Sequence, residues 1–158
     1  MLRKAVIWFL AFLVVLVPMM SASASSGWLV RKVLVDNDFY GVSCPTTTMC
    51  LAVGSIGQPG RGVIVRTVNG GQSWTHVPIS SNYLAVPSFL AGLSCPSVKL
   101  CYAAGASFKN LPLVLVSSNG GLAWSTKTLL PTAGLVLTGV TCPSQTTCFA
   151  YGHADPTG

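Results

Sequence analysis

The sequence predicts an all-β chain built from repeated four-stranded antiparallel units, and three observations predict it. The first is self-similarity. Gly41-Val-Ser-Cys-Pro, Gly92-Leu-Ser-Cys-Pro and Gly139-Val-Thr-Cys-Pro each begin a copy, and each first cysteine is followed six positions later by a second: Cys44 and Cys50, Cys95 and Cys101, Cys142 and Cys148. Every second cysteine opens a small apolar run that ends in glycine (CLAVG, CYAAG, CFAYG), and the copies recur at spacings of 51 and 47 residues, a period of repeat architectures. The second observation is punctuation: Pro, Gly, Ser and Asn recur every 8 to 12 residues between short pieces rich in Val, Leu, Ile, Thr and aromatics, the pattern of short strands joined by turns. The third is that no stretch beyond residue 25 sustains the 3.6-residue apolar period of an amphipathic helix.

The chain starts with Arg3 and Lys4 ahead of an apolar run at 5–17, then Pro18 and the small-residue stretch Ser21-Ala-Ser-Ala24. That order predicts a secretory signal over residues 1–24, cleaved after Ala22-Ser23-Ala24. The run is about 13 to 16 residues, short of the roughly 20 that a spanning helix needs; an uncleaved anchor is the alternative. Removing residues 1–24 lowers the formal charge from +6 to +4, with seven basic residues against Asp36, Asp38 and Asp155. Those basic residues are scattered, which speaks against nucleic acid as a partner. The remaining 134 residues suit one domain.

Residues 28–35 read as an orphan strand, with Trp28 at its head. The first complete unit, 39–80, predicts strands at 40–44, 50–54, 63–67 and 73–79. The second, 89–130, predicts strands at 90–95, 101–105, 113–117 and 123–129, with a loop at 106–112. Asn69-Gly-Gly and Asn119-Gly-Gly supply tight turns before the fourth strands, because Asn and Gly tolerate positive φ. The third unit, 137–158, offers two strands. Four antiparallel strands in 40 to 50 residues match a propeller blade. One orphan strand, two whole blades and a half blade fall short of the about four that a closed propeller needs, so the sequence is expected to be an incomplete arc of a longer repeat protein.

Thr67-Val-Asn69-Gly-Gly71-Gln-Ser73-Trp74 and Ser117-Ser-Asn119-Gly-Gly121-Leu-Ala-Trp124 resemble the Asp-box, or bacterial neuraminidase repeat, with the pattern Ser/Thr-x-Asp-x-Gly-x-Thr/Ser-Trp. Such boxes occur in sialidases, in propellers like the photosystem II assembly factors and in sortilin-type receptors. The flank of Gly-Val-Ser-Cys-Pro plus a second cysteine is similar to that of a group of secreted bacterial proteins. The chain departs from the pattern in having Asn69 and Asn119 where Asp is usual and Ala123 where a hydroxyl is usual. The resemblance implies boxes at the propeller's periphery, away from substrate. The side-chain chemistry agrees with a structural role: an Asn oxygen accepts from turn N–H groups, glycine permits the reversed backbone, and the tryptophan covers the hairpin.

Two readings are open for the cysteines. In an exported chain, three pairs with five intervening residues read as local disulfides across hairpins; the alternative is zinc held by two pairs. The repeats assign the pairs to separate blades and lack the usual Cys-x2–4-Cys spacing, which favours disulfides. No metal or other cofactor is expected.

Likeness to sialidases implies an arginine cluster, a Tyr nucleophile assisted by Glu, and an Asp acid. The chain has no Glu; its mature arginines are Arg31, Arg61 and Arg66, and Arg66 abuts an Asp-box-like turn. A carboxyl pair for ordinary glycoside hydrolysis is lacking, and His76 and His153 stand in no nucleophile motif. The expectation is a non-catalytic binding or scaffolding protein of the cell envelope or exterior, the alternatives being a glycosidase fragment or an assembly factor for a membrane complex. Recognition is expected in the loops at 55–61, 81–88 and 106–111, with Tyr83, Phe108 and Lys109 as contacts for a protein or glycan. Open blade edges predict self-association.

Overall fold

The computed structural model describes residues 37–80, 86–129 and 134–154. The signal segment, the orphan strand at 28–35, Arg31, Asp36, Tyr83 and Asp155 lie outside the described residues. Within them the chain is all-β and propeller-like, without helix. Strands β1 (Asn37–Ser43), β2 (Cys50–Ile56), β3 (Arg61–Thr67) and β4 (Thr75–His76) form the first antiparallel sheet, in that order. The second repeats it with β5 (Pro87–Ser94), β6 (Cys101–Ser107), β7 (Pro112–Ser117) and β8 (Ser125–Leu129). β9 (Leu135–Thr141) and β10 (Phe149–Ala154) pair as a two-stranded sheet.

The hairpin joining the first two strands of each unit is built the same way three times. The residue after the turn proline accepts an amide three residues on: Met49 N–H donates to Thr46 Oγ1 at 2.9 Å, Leu100 N–H to Ser97 Oγ at 3.1 Å and Thr147 N–H to Ser144 Oγ at 3.1 Å. Disulfides Cys44–Cys50, Cys95–Cys101 and Cys142–Cys148 close these hairpins, as the exported reading of the cysteines expects.

The sheets stack with their first strands, β1, β5 and β9, side by side. Cys95 N–H donates to Ser43 Oγ at 3.1 Å, and one repeat later Cys142 N–H donates to Ser94 Oγ at 3.0 Å. The Ser-Cys pair of the repeat is thus a sheet-to-sheet connector. Leu51, Val53 and Ile64 of the first sheet pack against Leu90, Cys101, Leu113, Leu115 and Trp124 of the second, and all eight are essentially buried. Each fully buried aliphatic side chain there stabilises by roughly 1.5–3 kcal/mol relative to exposure. The opposite face of the first sheet carries Ala52, Val63 and Val65 with Phe39, Ile56 and Trp74.

Strand ends differ from the sequence reading. The fourth strand expected over 73–79 is only Thr75–His76. Val77 N–H still donates to Ile64 O at 2.9 Å, but Pro78 has no amide hydrogen to continue the ladder. Ile79 instead forms an isolated bridge with Trp124, the residue just before β8. The loop expected over 106–112 shrinks, because Ala106 and Ser107 extend β6 and Pro112 opens β7.

Candidate functional site

A meander of antiparallel strands has two unlike ends. At one lie the disulfide hairpins and the Asn-Gly-Gly turns; at the other lie the β2–β3 and β6–β7 connections and the links between units.

The first end is a locked network. Thr67 Oγ1 donates to Asn69 Oδ1 at 2.9 Å and accepts from Gly71 N–H at 3.0 Å and Asn69 N–H at 3.3 Å. Asn69 Oδ1 accepts from Ser73 N–H at 3.0 Å, and its Nδ2 donates to Ser73 Oγ at 2.8 Å. The second copy matches: Ser117 Oγ donates to Asn119 Oδ1 and accepts from Gly121 N–H, both at 2.9 Å, and Asn119 Oδ1 takes the amides of Leu122 and Ala123 at 3.1 and 3.0 Å. Gly70 N–H donates to Thr48 O at 2.9 Å and Gly120 N–H to Lys99 O at 2.8 Å, tying each turn to its own disulfide hairpin. Trp124 Nε1 donates to Gly121 O at 3.2 Å while its ring packs on the preceding sheet. Gly121, at φ 80°, leaves no room for a side chain because Leu51 occupies that space. Trp74, at the equivalent position, is half-buried. Arg66 belongs to the same network: Nε donates to Gly120 O at 2.8 Å, and Nη2 lies 3.9 Å from Met49 Sδ. These partners bridge two sheets.

The other end holds a groove of about 640 Å³. Its origin is a bulge repeated in each unit. Phe39 pairs with Gly54 and Gly41 with Val53, leaving Tyr40 outside the ladder; Ala91 is left out between Leu90 and Gly92, and Thr138 between Leu137 and Gly139. A bulge bends its strand and re-aims the extra side chain, and Tyr40, Ala91 and Thr138 all line the one groove. The glycine that ends each CxxxG run lies opposite the bulge. A Cβ at Gly54, Gly105 or Gly152 would collide with the backbone carbonyl of Asp38, Phe89 or Val136 respectively.

Phe89, Phe108, Pro59 and Asn110 complete the walls, with Ser55 and Ser88 between them. Tyr40 Oη lies 3.2 Å from Ser55 Oγ, and Ser88 Oγ donates to Ala106 O at 3.1 Å. The loop carrying Phe108 is pinned by buried Ser107: its N–H donates to Leu111 O at 2.9 Å, and its Oγ accepts from the amides of Lys109 and Leu111 at 3.2 and 3.4 Å. Phe108 N–H donates to Val86 O at 3.1 Å and Gly134 N–H to Asn110 O at 3.2 Å, so this loop is tied to both links between units. No charged side chain is among the lining residues.

Of the residues expected to recognise a ligand, Phe108 lines the groove and Lys109 does not. Tyr40, Phe89, Ala91 and Thr138 carry no motif that marks them in the sequence; the available signal is the changing residue just before the repeated glycine of each Gly-x-Ser/Thr-Cys-Pro. His76 lies exposed on β4 and His153 exposed on β10. No group of three metal-ligating residues occurs among the described residues, and among them no helix is long and apolar enough to cross a membrane. Three disulfides are the chemistry of an oxidising compartment.

No protein-family model matches the sequence, and no curated protein matches it. Among solved structures, a chain described as "YCF48 bound to D1 peptide" is similar with a TM-score of 0.57 at 16% sequence identity, covering 73% of this chain and 33% of that one. The likeness establishes a propeller-like fold, and this chain spans about a third of that chain's length.

Proposed function

We propose that this chain is an exported, non-catalytic propeller module that recognises a polypeptide segment in the groove at its loop end. The observation that carries the reading is the convergence of three bulge residues, Tyr40, Ala91 and Thr138, with Phe89 and Phe108 on one uncharged groove. Aromatic and aliphatic walls accept apolar side chains, and the few hydroxyls and the Asn110 amide orient peptide N–H and C=O groups. The similar solved chain is bound to a peptide, which supports a polypeptide as the ligand class. Export is supported by the charged, apolar and small-residue order of residues 1–24 together with the disulfides. The hydrogen-bonded turns at Asn69 and Asn119 support assigning both complete repeats to the Asp-box type.

The absence of catalysis rests on composition. The chain has no Glu and three Asp, two of them a residue apart, whereas glycoside hydrolysis places two carboxyl groups on either side of the scissile bond.

Panning a random-peptide library on the purified chain is expected to yield uncharged binders rich in apolar side chains. Phe108→Ala and Tyr40→Ala are each expected to weaken the best binder by about 10- to 30-fold, the scale of an interface hot spot. Binders indifferent to both substitutions would refute the groove as the site. Turnover of sialosides or aryl glycosides that disappears on replacing Arg61 or Asp36 would overturn the non-catalytic reading.

A further inference from the structure

The two Asn-Gly-Gly turns hold a reactive pair that the groove does not use. In Asn69-Gly70 and Asn119-Gly120 the glycine nitrogen follows the asparagine with no side chain to hinder it. Such a nitrogen attacks the Cγ of the preceding asparagine wherever the chain is free to bring the two together. The carbonyl it would attack is already polarised. Asn69 Oδ1 accepts from Thr67 Oγ1 and Ser73 N–H, and Asn119 Oδ1 accepts from Ser117 Oγ and the amides of Leu122 and Ala123. Donors so placed stabilise the charge that forms on an oxygen when a nucleophile adds to its carbon.

The nitrogen, by contrast, is held back. Gly70 N–H donates to Thr48 O at 2.9 Å and Gly120 N–H to Lys99 O at 2.8 Å. Thr48 lies in the loop that Cys44–Cys50 closes, and Lys99 in the loop that Cys95–Cys101 closes. At the second site the hairpin backbone also covers the glycine, since a Cβ on Gly120 would stand 2.9 Å from Val98 O. The proton that must leave each nitrogen is therefore fixed on a carbonyl whose position a disulfide sets.

We propose that Asn69 and Asn119 are self-modification sites, each gated by the disulfide of its own repeat. With the hairpin closed, the asparagine persists. When a thiol reductant opens the disulfide, the glycine nitrogen is released and forms a bond to Cγ. Nδ2 is displaced and leaves as ammonia, taking up the proton that the glycine nitrogen gives up. Water then opens the cyclic imide at either carbonyl to give aspartate or isoaspartate, a net exchange of ammonia for water. The isoaspartyl form carries an extra methylene in the main chain, so the turn keeps a mark of reduction after the disulfide has closed again.

Peptide mapping by mass spectrometry of the purified chain, incubated at neutral pH, reads both sites at once, and each repeat serves as the other's control. Cys44→Ala with Cys50→Ala is expected to speed deamidation at Asn69 by about 10- to 100-fold, the scale set by losing a buried hydrogen bond, and to leave Asn119 unchanged. Cys95→Ala with Cys101→Ala is expected to do the reverse. An unchanged rate at the released site overturns the proposal. So does a rise at both sites together, which marks global unfolding rather than a local gate. If a variant misfolds by circular dichroism, the unmodified chain decides under a titration with dithiothreitol. Deamidation at each site is then expected to rise with the reduced fraction of its own disulfide, and deamidation that does not follow that fraction overturns the proposal.

Discussion

At the scale of the residue, the hub of each Asn-Gly-Gly turn is the hydroxyl two positions before the asparagine. Ser117 donates once and accepts once within the turn while itself 1% exposed. Ser117→Ala leaves a buried amide at Gly121 without that partner, and the expected loss is about 1–3 kcal/mol in chemical denaturation. Asn119→Asp keeps the accepting oxygen that Ser117, Leu122 and Ala123 use and is expected to change stability by less than about 0.5 kcal/mol. A larger loss for the aspartate than for the alanine variant would contradict this division of roles. The asparagine, glycines and tryptophan of the turns were legible because their chemistry is local. The reach of Trp124 and of Arg66 into a neighbouring sheet was not, since no spacing within one repeat records what the adjacent repeat places beside it.

Within the described units, strand number, order and antiparallel sense followed from periodicity and turn residues, but the bulges did not. A bulge adds one residue to a strand without interrupting its apolar composition, so Leu90-Ala-Gly-Leu93 reads as uninterrupted strand although Ala91 is out of the ladder. Its mark in the sequence is indirect: the glycine ending each CxxxG run, required because the bulged strand's backbone passes so close. Gly105→Ala is expected to cost about 1–3 kcal/mol or more, since the new methyl group meets backbone rather than a yielding side chain. A loss below about 0.5 kcal/mol would mean that the bulge relaxes freely. The short β4 has a plainer cause in Pro78, a ladder-breaker that stands in the sequence inside an otherwise β-rich run.

For the whole molecule, the disulfide hairpins and the groove lie at opposite ends of the strands. Replacing Cys44 and Cys50 together by Ala is expected to lower stability by about 2 kcal/mol, the chain-entropy value of so small a loop. Peptide affinity at the groove is expected to be unchanged at temperatures where the variant stays folded. A fall in affinity that tracks the substitution would join the two ends. The bulge gives that separation a further meaning. The three units carry Tyr, Ala and Thr at the position outside the ladder, and under the proposed function the identity of that residue would answer to the ligand rather than to the ladder. A groove that works in this way would spell recognition one letter per repeat, like the pins of a tumbler lock, and recutting the key would mean changing one pin while the barrel that holds it stays the same.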